Sequence, residues 1–160
     1  MAESKVKVLP YNQDGAALLA NIREKDMAEL QVTMDLFKID AEAHLSLTLL
    51  SCSHNWSIFY GDELLGCCGV AREIDISDSM NPIWLLTTKA VNAHKTAFVK
   101  GCRVALAEML KIAPEGVSVL AIEDYEGAHK LINFFGFIPS CQFVINGKNF
   151  IKYVLKGENL

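Results

Sequence analysis

Two short apolar runs constrain this chain more than anything else in it. "PIWLLTT" (82–88) and "VSVLAI" (117–122) each read as a continuous, fully buried strand rather than an alternating one. Between them lies a long helical stretch with Phe98, Cys102, Ala105 and Met109 on one face, stopping near Pro114-Glu115-Gly116. A buried strand, a helix and a second buried strand predict a parallel pair inside a mixed sheet, with helices on both faces.

The rest of the chain supplies the sheet's other members. "KVKVLP" alternates and closes on Pro10, which predicts a first strand. Three helical starts follow. Asp14 caps a helix whose apolar face holds Leu18, Leu19 and Ile22. Asp26 with Glu29 makes a capping box over a stripe of Met27, Leu30, Met34 and Phe37. Asp40 opens a third segment through Ala43, Leu47 and Leu50. From Trp56 the period becomes two: "NWSIFY" and "ELLGCCGV" flank a Gly-Asp turn, and "QFVI" and "KNFIKYVL" flank an Asn-Gly turn, each a tight hairpin. The polar "REIDISDSMN" leads into the central strands. Before the second hairpin, "EGAHKLINFFGF" places Ala128, Leu131, Ile132 and Phe135 at i, i+3, i+4 and i+7 and stops at Gly136-Phe137. No linker or repeat interrupts residues 1–160, which predicts a single domain.

Composition narrows the function classes. At 51% hydrophobic and 21% charged, the 160 residues suit one well-cored globular unit. The net charge of −4, with Lys and Arg scattered, argues against nucleic-acid binding through a basic face. No apolar run approaches the ~20 residues that span a bilayer. "MAESKVKVLP" lacks a signal peptide's apolar region, which predicts a cytoplasmic protein. The odd set of cysteines, Cys52, Cys67, Cys68, Cys102 and Cys141, predicts buried free thiols in a reducing compartment and no zinc site. Cys67 and Cys68 have no His at a nucleophile's spacing and read as structural thiols. Gly66 and Gly69 beside them mark a bulge or a close backbone approach.

This element order with its Gly-Phe stop resembles the GNAT N-acetyltransferase superfamily. A closer likeness joins "IREKDMAEL" (22–30), an Arg-Glu-x-Asp-x-x-Glu helix, to "PIWLLTT", a Pro-x-Trp strand ending in Thr, and to "HKLINFFGF". Together these look like the GNAT-like internal virion protein A family of short-tailed phages. The resemblance implies an α/β fold with a mixed, mostly antiparallel sheet of about seven strands, whose central parallel pair splays into a cleft. It further implies acetyl-coenzyme A as co-substrate without a metal, and an unknown amine acceptor. Localisation is then the host cell cytoplasm or the virion, and a homodimer is compatible with it. The alternative implication is a non-catalytic protein that keeps this fold and binds other virion proteins.

The same resemblance names the site. The strand end Leu86, Thr87 and Thr88 accepts the pantetheine arm, although Thr87 and Thr88 also suit helix caps. The family's glycine-rich phosphate loop is missing from "KAVNAHKTAFVKGCR": placing the loop on Gly101 puts Arg103 inside a helix. Lys95, Lys100 and Arg103 then either hold the phosphates by side chain or form a solvated helix face. The family's acidic Tyr, four residues before the stop Gly, is Ile132 here, which cannot donate a proton. Its frequent Asn, eleven before that Gly, is Tyr125, whose hydroxyl offers a substitute, with His129 and Asn133 nearby in sequence. Glu29, or Asp26, is the candidate general base, and capping explains both without catalysis. Arg23 and Glu24 read as surface or ion-pair residues, and Trp56 and Trp84 as core.

Overall fold

The computed structural model describes residues 5–157. One seven-stranded sheet runs through them in the order β1 (Val6–Pro10), β2 (Cys52–Tyr60), β3 (Glu63–Ala71), β4 (Asn81–Thr87), β5 (Gly116–Ile122), β7 (Lys148–Lys156), β6 (Ile138–Ile145). Every neighbouring pair is antiparallel except β4 and β5. That parallel pair splays as expected. Only Asn81 with Val117 and Pro82 with Ser118 stand in register before the strands part. The splay also corrects one expectation: β4 is half-buried along most of its length, because its outer end faces an opening instead of a neighbour.

Helices cover both faces. α1 (Gly15–Ala20), α2 (Glu24–Phe37) and α3 (Ala41–Ser51) lie on one, α4 (Lys95–Ile112) and α5 (Glu126–Phe134) on the other. The adjacent thiols of β3 show the division, since successive strand residues face opposite ways. Cys67 packs with Leu18 and Leu45, and Cys68 joins Phe98, Cys102, Ala105 and Met109 of α4. Three helical stripes differ from the sequence expectation; in α2, Val32 is buried while Phe37 is exposed. α1 ends at Ala20, and Ile22 bridges to Thr88 instead. In α3 it is Leu45 that faces inward, while Leu47 and Leu50 are exposed. Asp40 caps α3 through Ala43 N–H at 2.8 Å, whereas the side chain of Asp14 accepts from Ser57 at 2.6 Å and does not cap α1.

The turns follow their residue chemistry. Asn146 and Gly147 both have positive φ, 48° and 77°, the geometry of a type I′ hairpin. After α5, Gly136 takes φ 87°, its N–H donates to Asn133 O, and Phe137 N–H donates to Ile132 O. This is a Schellman stop that drops Phe137 into the core, which explains the Gly-Phe pair. Around Gly66 both sequence alternatives hold. Leu65 is the extra residue of a bulge, since Ile58 faces Gly66 and Phe59 faces Leu64. A Cβ on Gly66 would also sit 2.7 Å from Leu86 O.

Gly101 serves packing alone. A Cβ there would lie 2.5 Å from Ile58 Cγ2, on a fully buried, β-branched strand residue with no room to turn. Overpacking costs about 1–3 kcal/mol and outweighs the roughly 1 kcal/mol that Ala adds to a helix. Gly101→Ala should therefore lower the melting temperature by a few degrees; an unchanged or higher value would contradict this packing.

All five thiols are free, but Cys141 is exposed, a correction to the expectation that all are buried. Alkylation of the native protein without reductant should label Cys141 and spare the other four, and all five should react once the chain is denatured. A thiol that stays protected after denaturation would reveal a disulfide.

Candidate active site

Splaying leaves the far ends of β4 and β5 with backbone amides that lack a strand partner, and a buried amide left unpaired costs about 1–3 kcal/mol. α2 supplies the partners. The chain entering it is tied to β4, with Arg23 N–H donating to Thr87 O at 3.0 Å, so the helix starts at Glu24 with Arg23 at the N-cap position. Asp26 and Glu29 then lie one turn apart on one side of the helix and do not form the expected capping box. Asp26 Oδ2 accepts Thr87 N–H at 2.6 Å and the Thr87 hydroxyl as well. Glu29 Oε2 accepts Ile122 N–H at 3.0 Å. One carboxylate holds the tip of β4, the other the tip of β5.

Burial sets the protonation of this group. It drives Glu29 from 4.5 up to about 7, opposed by the Ile122 amide and reinforced by the charges of Asp26 and Asp124. Asp26 is raised by burial as well, against the hydrogen bonds of Thr87 and Tyr125 and the charge of Arg23. Tyr125, at the N-cap position of α5, is buried, and its phenol is pushed well above its ordinary range by burial and then by Asp26. Asp26, Thr87 and Tyr125 thus form one polar cluster, with Glu29 a helical turn away.

A cleft of about 670 Å³ passes between the splayed strands, within the size range of small-molecule sites. Val91, Lys95, Phe98, Leu131 and Ile132 line it on the α4–α5 side; Asp26, Glu29, Leu30, His44, Phe143 and Phe150 line it on the other. Leu86, Thr87 and Tyr125 face it too. Thr88 does not: its hydroxyl is buried against Leu64 O at 2.6 Å, and neither threonine caps α4, whose N-cap position is His94. Lys95 lines both the cleft and a second cavity of about 710 Å³ at the start of α4, which it shares with Lys5, Tyr60, His94 and Lys100. His94 stacks on Tyr60 with ring centroids 4.0 Å apart, fixing that helix end to the first hairpin. Arg103 lies two turns further on, over the rings of Phe134 and Phe135 at 5.8 and 5.9 Å, and lines neither cavity. The His129 ring bridges Tyr153 Oη and Ile122 O, and Asn133 belongs to the helix stop. Trp84 is half-buried and donates to Asn55 at 3.2 Å. Among the described residues, no group of three or more His, Cys, Asp or Glu side chains is placed to hold a metal ion.

One part of the site escaped sequence reasoning. The segment between β3 and β4 brings Asp75 and Asp78 to Lys152, at 2.5 and 2.6 Å, in the wall of the cleft. Burial pulls the Lys152 ammonium down, but the two carboxylates outweigh it and hold it above its ordinary value. The signal was there: a lysine in the apolar alternation "KNFIKYVL" is 4% exposed and needs a buried counter-charge.

The titration of Glu29 is testable. Its folded value lies above its unfolded 4.5, so the linked stabilisation is complete below pH 4.5 and is lost as pH rises through about 7. Glu29→Gln keeps an acceptor for Ile122 N–H and removes that dependence. Its stability relative to wild type should be higher at about pH 8 than at about pH 5, by on the order of 2–3 kcal/mol. Denaturant unfolding at the two pH values measures the difference; parallel pH profiles would mean that Glu29 titrates normally.

No family model matches the sequence, and no curated protein does. Solved structures do. Spermidine N-acetyltransferase from Vibrio cholerae, in complex with CoA and spermine, matches over 98% of both chains with a TM-score of 0.68 and 11% identity. A probable acetyltransferase of the GNAT family from Chromobacterium violaceum matches over 99% of this chain and 91% of its own, with a TM-score of 0.67 and 12% identity. A third match, to another probable acetyltransferase, spans 66% of this chain and 63% of that one, with a TM-score of 0.53 and 16% identity. At these identities the likeness is one of architecture: the chain has the GNAT acetyltransferase fold.

Proposed function

We propose that this protein transfers an acetyl group from acetyl-coenzyme A to an amine. The observation that carries the reading is Glu29: a carboxylate titrating at about 7, held at the opening between splayed strands, in a cleft that reaches both faces of the sheet. A base with that value takes a proton from an ammonium at neutral pH and is itself ready to lose it. Glu29 deprotonates the acceptor ammonium, the amine nitrogen bonds to the thioester carbonyl carbon, and as the carbon–sulfur bond breaks the nitrogen gives up its second proton, which ends on the released thiolate. Tyr125 stays protonated, but Asp26 already takes its hydroxyl proton in a hydrogen bond, so it serves the sulfur only by leaving Asp26. Its raised value makes it a weaker donor than an ordinary tyrosine. Ile132, in the position where the resemblance expects an acid, contributes only an apolar wall.

The α4–α5 side suits the coenzyme. Thr87 itself is taken by Asp26 and Arg23, so a pantetheine arm has the stretch of β4 before it, Ile83 to Leu86, which lines the cleft. The start of α4 has no capping side chain among the described residues, and Lys95 and Lys100 of the same helix line the cavity there, a combination of dipole and charge that suits phosphates. Arg103 stands apart from that cavity, and the phosphate reading rests on the two lysines. The coenzyme A and spermine held by the Vibrio cholerae neighbour support both the co-substrate and an amine acceptor. The second reading, a non-catalytic virion or interaction protein that keeps this fold, is favoured by Ile132 and by the absence of glycine in the first turn of α4. The phage assignment, and with it the virion or host cytoplasm as location, is supported by the sequence resemblance alone.

Thermal melts with acetyl-coenzyme A separate the readings. Binding to the folded state at a hundredfold excess over Kd stabilises by about 2.7 kcal/mol, a rise on the order of 5–10 °C for a chain of this length. Lys95→Ala and Lys100→Ala should reduce the shift, Arg103→Ala should reduce it least, and salt should weaken it. Thiol release should then fall about 10²–10⁴-fold in kcat/KM in Glu29→Gln. No shift with millimolar acetyl-coenzyme A or free coenzyme A would end the acetyl-transfer reading.

A further inference from the structure

We infer that the acceptor is a monoamine with an apolar, ring-bearing body and not a polyamine; this rests on the acetyl-transfer reading above. Charge is the first argument. A polyamine needs a row of unengaged carboxylates, one near each ammonium. Among the described residues the cleft is lined by three carboxylates, of Asp26, Glu29 and Asp75, and each already has donors of the protein in place. Asp26 is occupied by Thr87 and Tyr125. Asp75 gives Oδ2 to Lys152 and Oδ1 to the Ser77 N–H and hydroxyl, at 2.9 and 2.7 Å. Asp78, behind it, is divided between Lys152 and the Met80 amide at 3.0 Å. Glu29 binds Ile122 through Oε2, which leaves Oε1 for one ammonium.

The shape of the acceptor side is the second argument. Phe143 and Phe150 are register partners across β6 and β7, and Ile145 follows Phe143 on the same face. Leu120 of β5 stands opposite Lys152 in register and also faces the cleft. Phe143 and Leu120 are 43% and 41% exposed, so this apolar wall is open to a ligand. On the α2–α3 side stand Leu30 and His44, whose imidazole burial holds below its ordinary value and therefore neutral at physiological pH. Past Glu29, a second ammonium meets apolar side chains and an Asp75–Lys152–Asp78 group whose acceptors are already taken, so it loses water without gaining a partner. A ring in the same place meets aromatic and aliphatic surface, which it favours.

Calorimetric titration of the full chain with tryptamine and with spermidine, each in the presence of coenzyme A, tests the inference. Tryptamine should bind at least about tenfold more tightly, the equivalent of roughly 1.4 kcal/mol. Phe143→Ala, at a half-exposed position that the fold tolerates, should weaken tryptamine several-fold, and Leu120→Glu should narrow the preference by tightening spermidine. Equal or tighter binding of spermidine to wild type, no binding of tryptamine, or a Phe143→Ala variant with unchanged tryptamine affinity would each overturn the acceptor class. If coenzyme A binds while the amine preference fails, the acceptor class alone is wrong. If coenzyme A does not bind, the acetyl-transfer reading falls and this inference with it.

Discussion

The rest of this structure depends on a pair of carboxylates one helical turn apart. A parallel pair that parts after two residues in register gains a cleft but exposes the amide edges of both strands. Water cannot serve those amides without opening the core, and a third strand would close the cleft. Asp26 and Glu29 resolve the conflict by reaching from α2 to Thr87 on one strand and Ile122 on the other. The solution has its own cost, because both carboxyls are taken out of solvent. Burial raises both, the Asp26 charge adds to it at Glu29, and Glu29 reaches the range where proton transfer is useful. The device that keeps the cleft open also gives it a carboxyl poised near neutral pH, a coincidence common at sites with perturbed titration.

How much of this was legible in the chain depended on the range of each interaction. The hairpins, the buried strands, the α4 stripe and the Gly-Phe stop are specified by neighbours in sequence, and they stand where the residues place them. Asp26 and Glu29 were visible as candidates, but an acid pair three residues apart serves a helix's own amides as readily as another strand's. Only the attachment of Arg23 to Thr87, which starts α2 two residues before Asp26, decides between them. The pairing of Lys152 with Asp75 and Asp78 was less accessible still. The acidic segment reads as a solvated connection, and its partner lies more than seventy residues downstream on a strand that looks apolar.

At the start of α4, where the proposed coenzyme phosphates would sit, the family's glycine pattern is absent. Gly101 is spent on letting α4 approach Ile58, and the first turn of α4 carries side chains that a close-fitting phosphate loop would exclude. What remains is a helix end without a side-chain cap among the described residues, beside the ammonium groups of Lys95 and Lys100. Such a site attracts phosphate by charge and holds it with less geometric selectivity than a backbone cradle.

The missing acid at Ile132 weighs less against turnover than the loss of Glu29 would. An alkylammonium with a pKa near 10.4 is neutral in only about one molecule in a few thousand at pH 7, which places roughly 4–5 kcal/mol in front of attack unless a base removes the proton in place. The departing thiol, with a value near 8.5, is the more acidic partner and leaves as thiolate with a far smaller penalty. Assistance at the sulfur therefore accelerates the reaction but is not a condition for it, whereas assistance at the nitrogen is close to one. On the proposed acetyl-transfer reading, Ile132 in the acid position and Glu29 as the base leave the chain with the half of the machinery that this chemistry needs most.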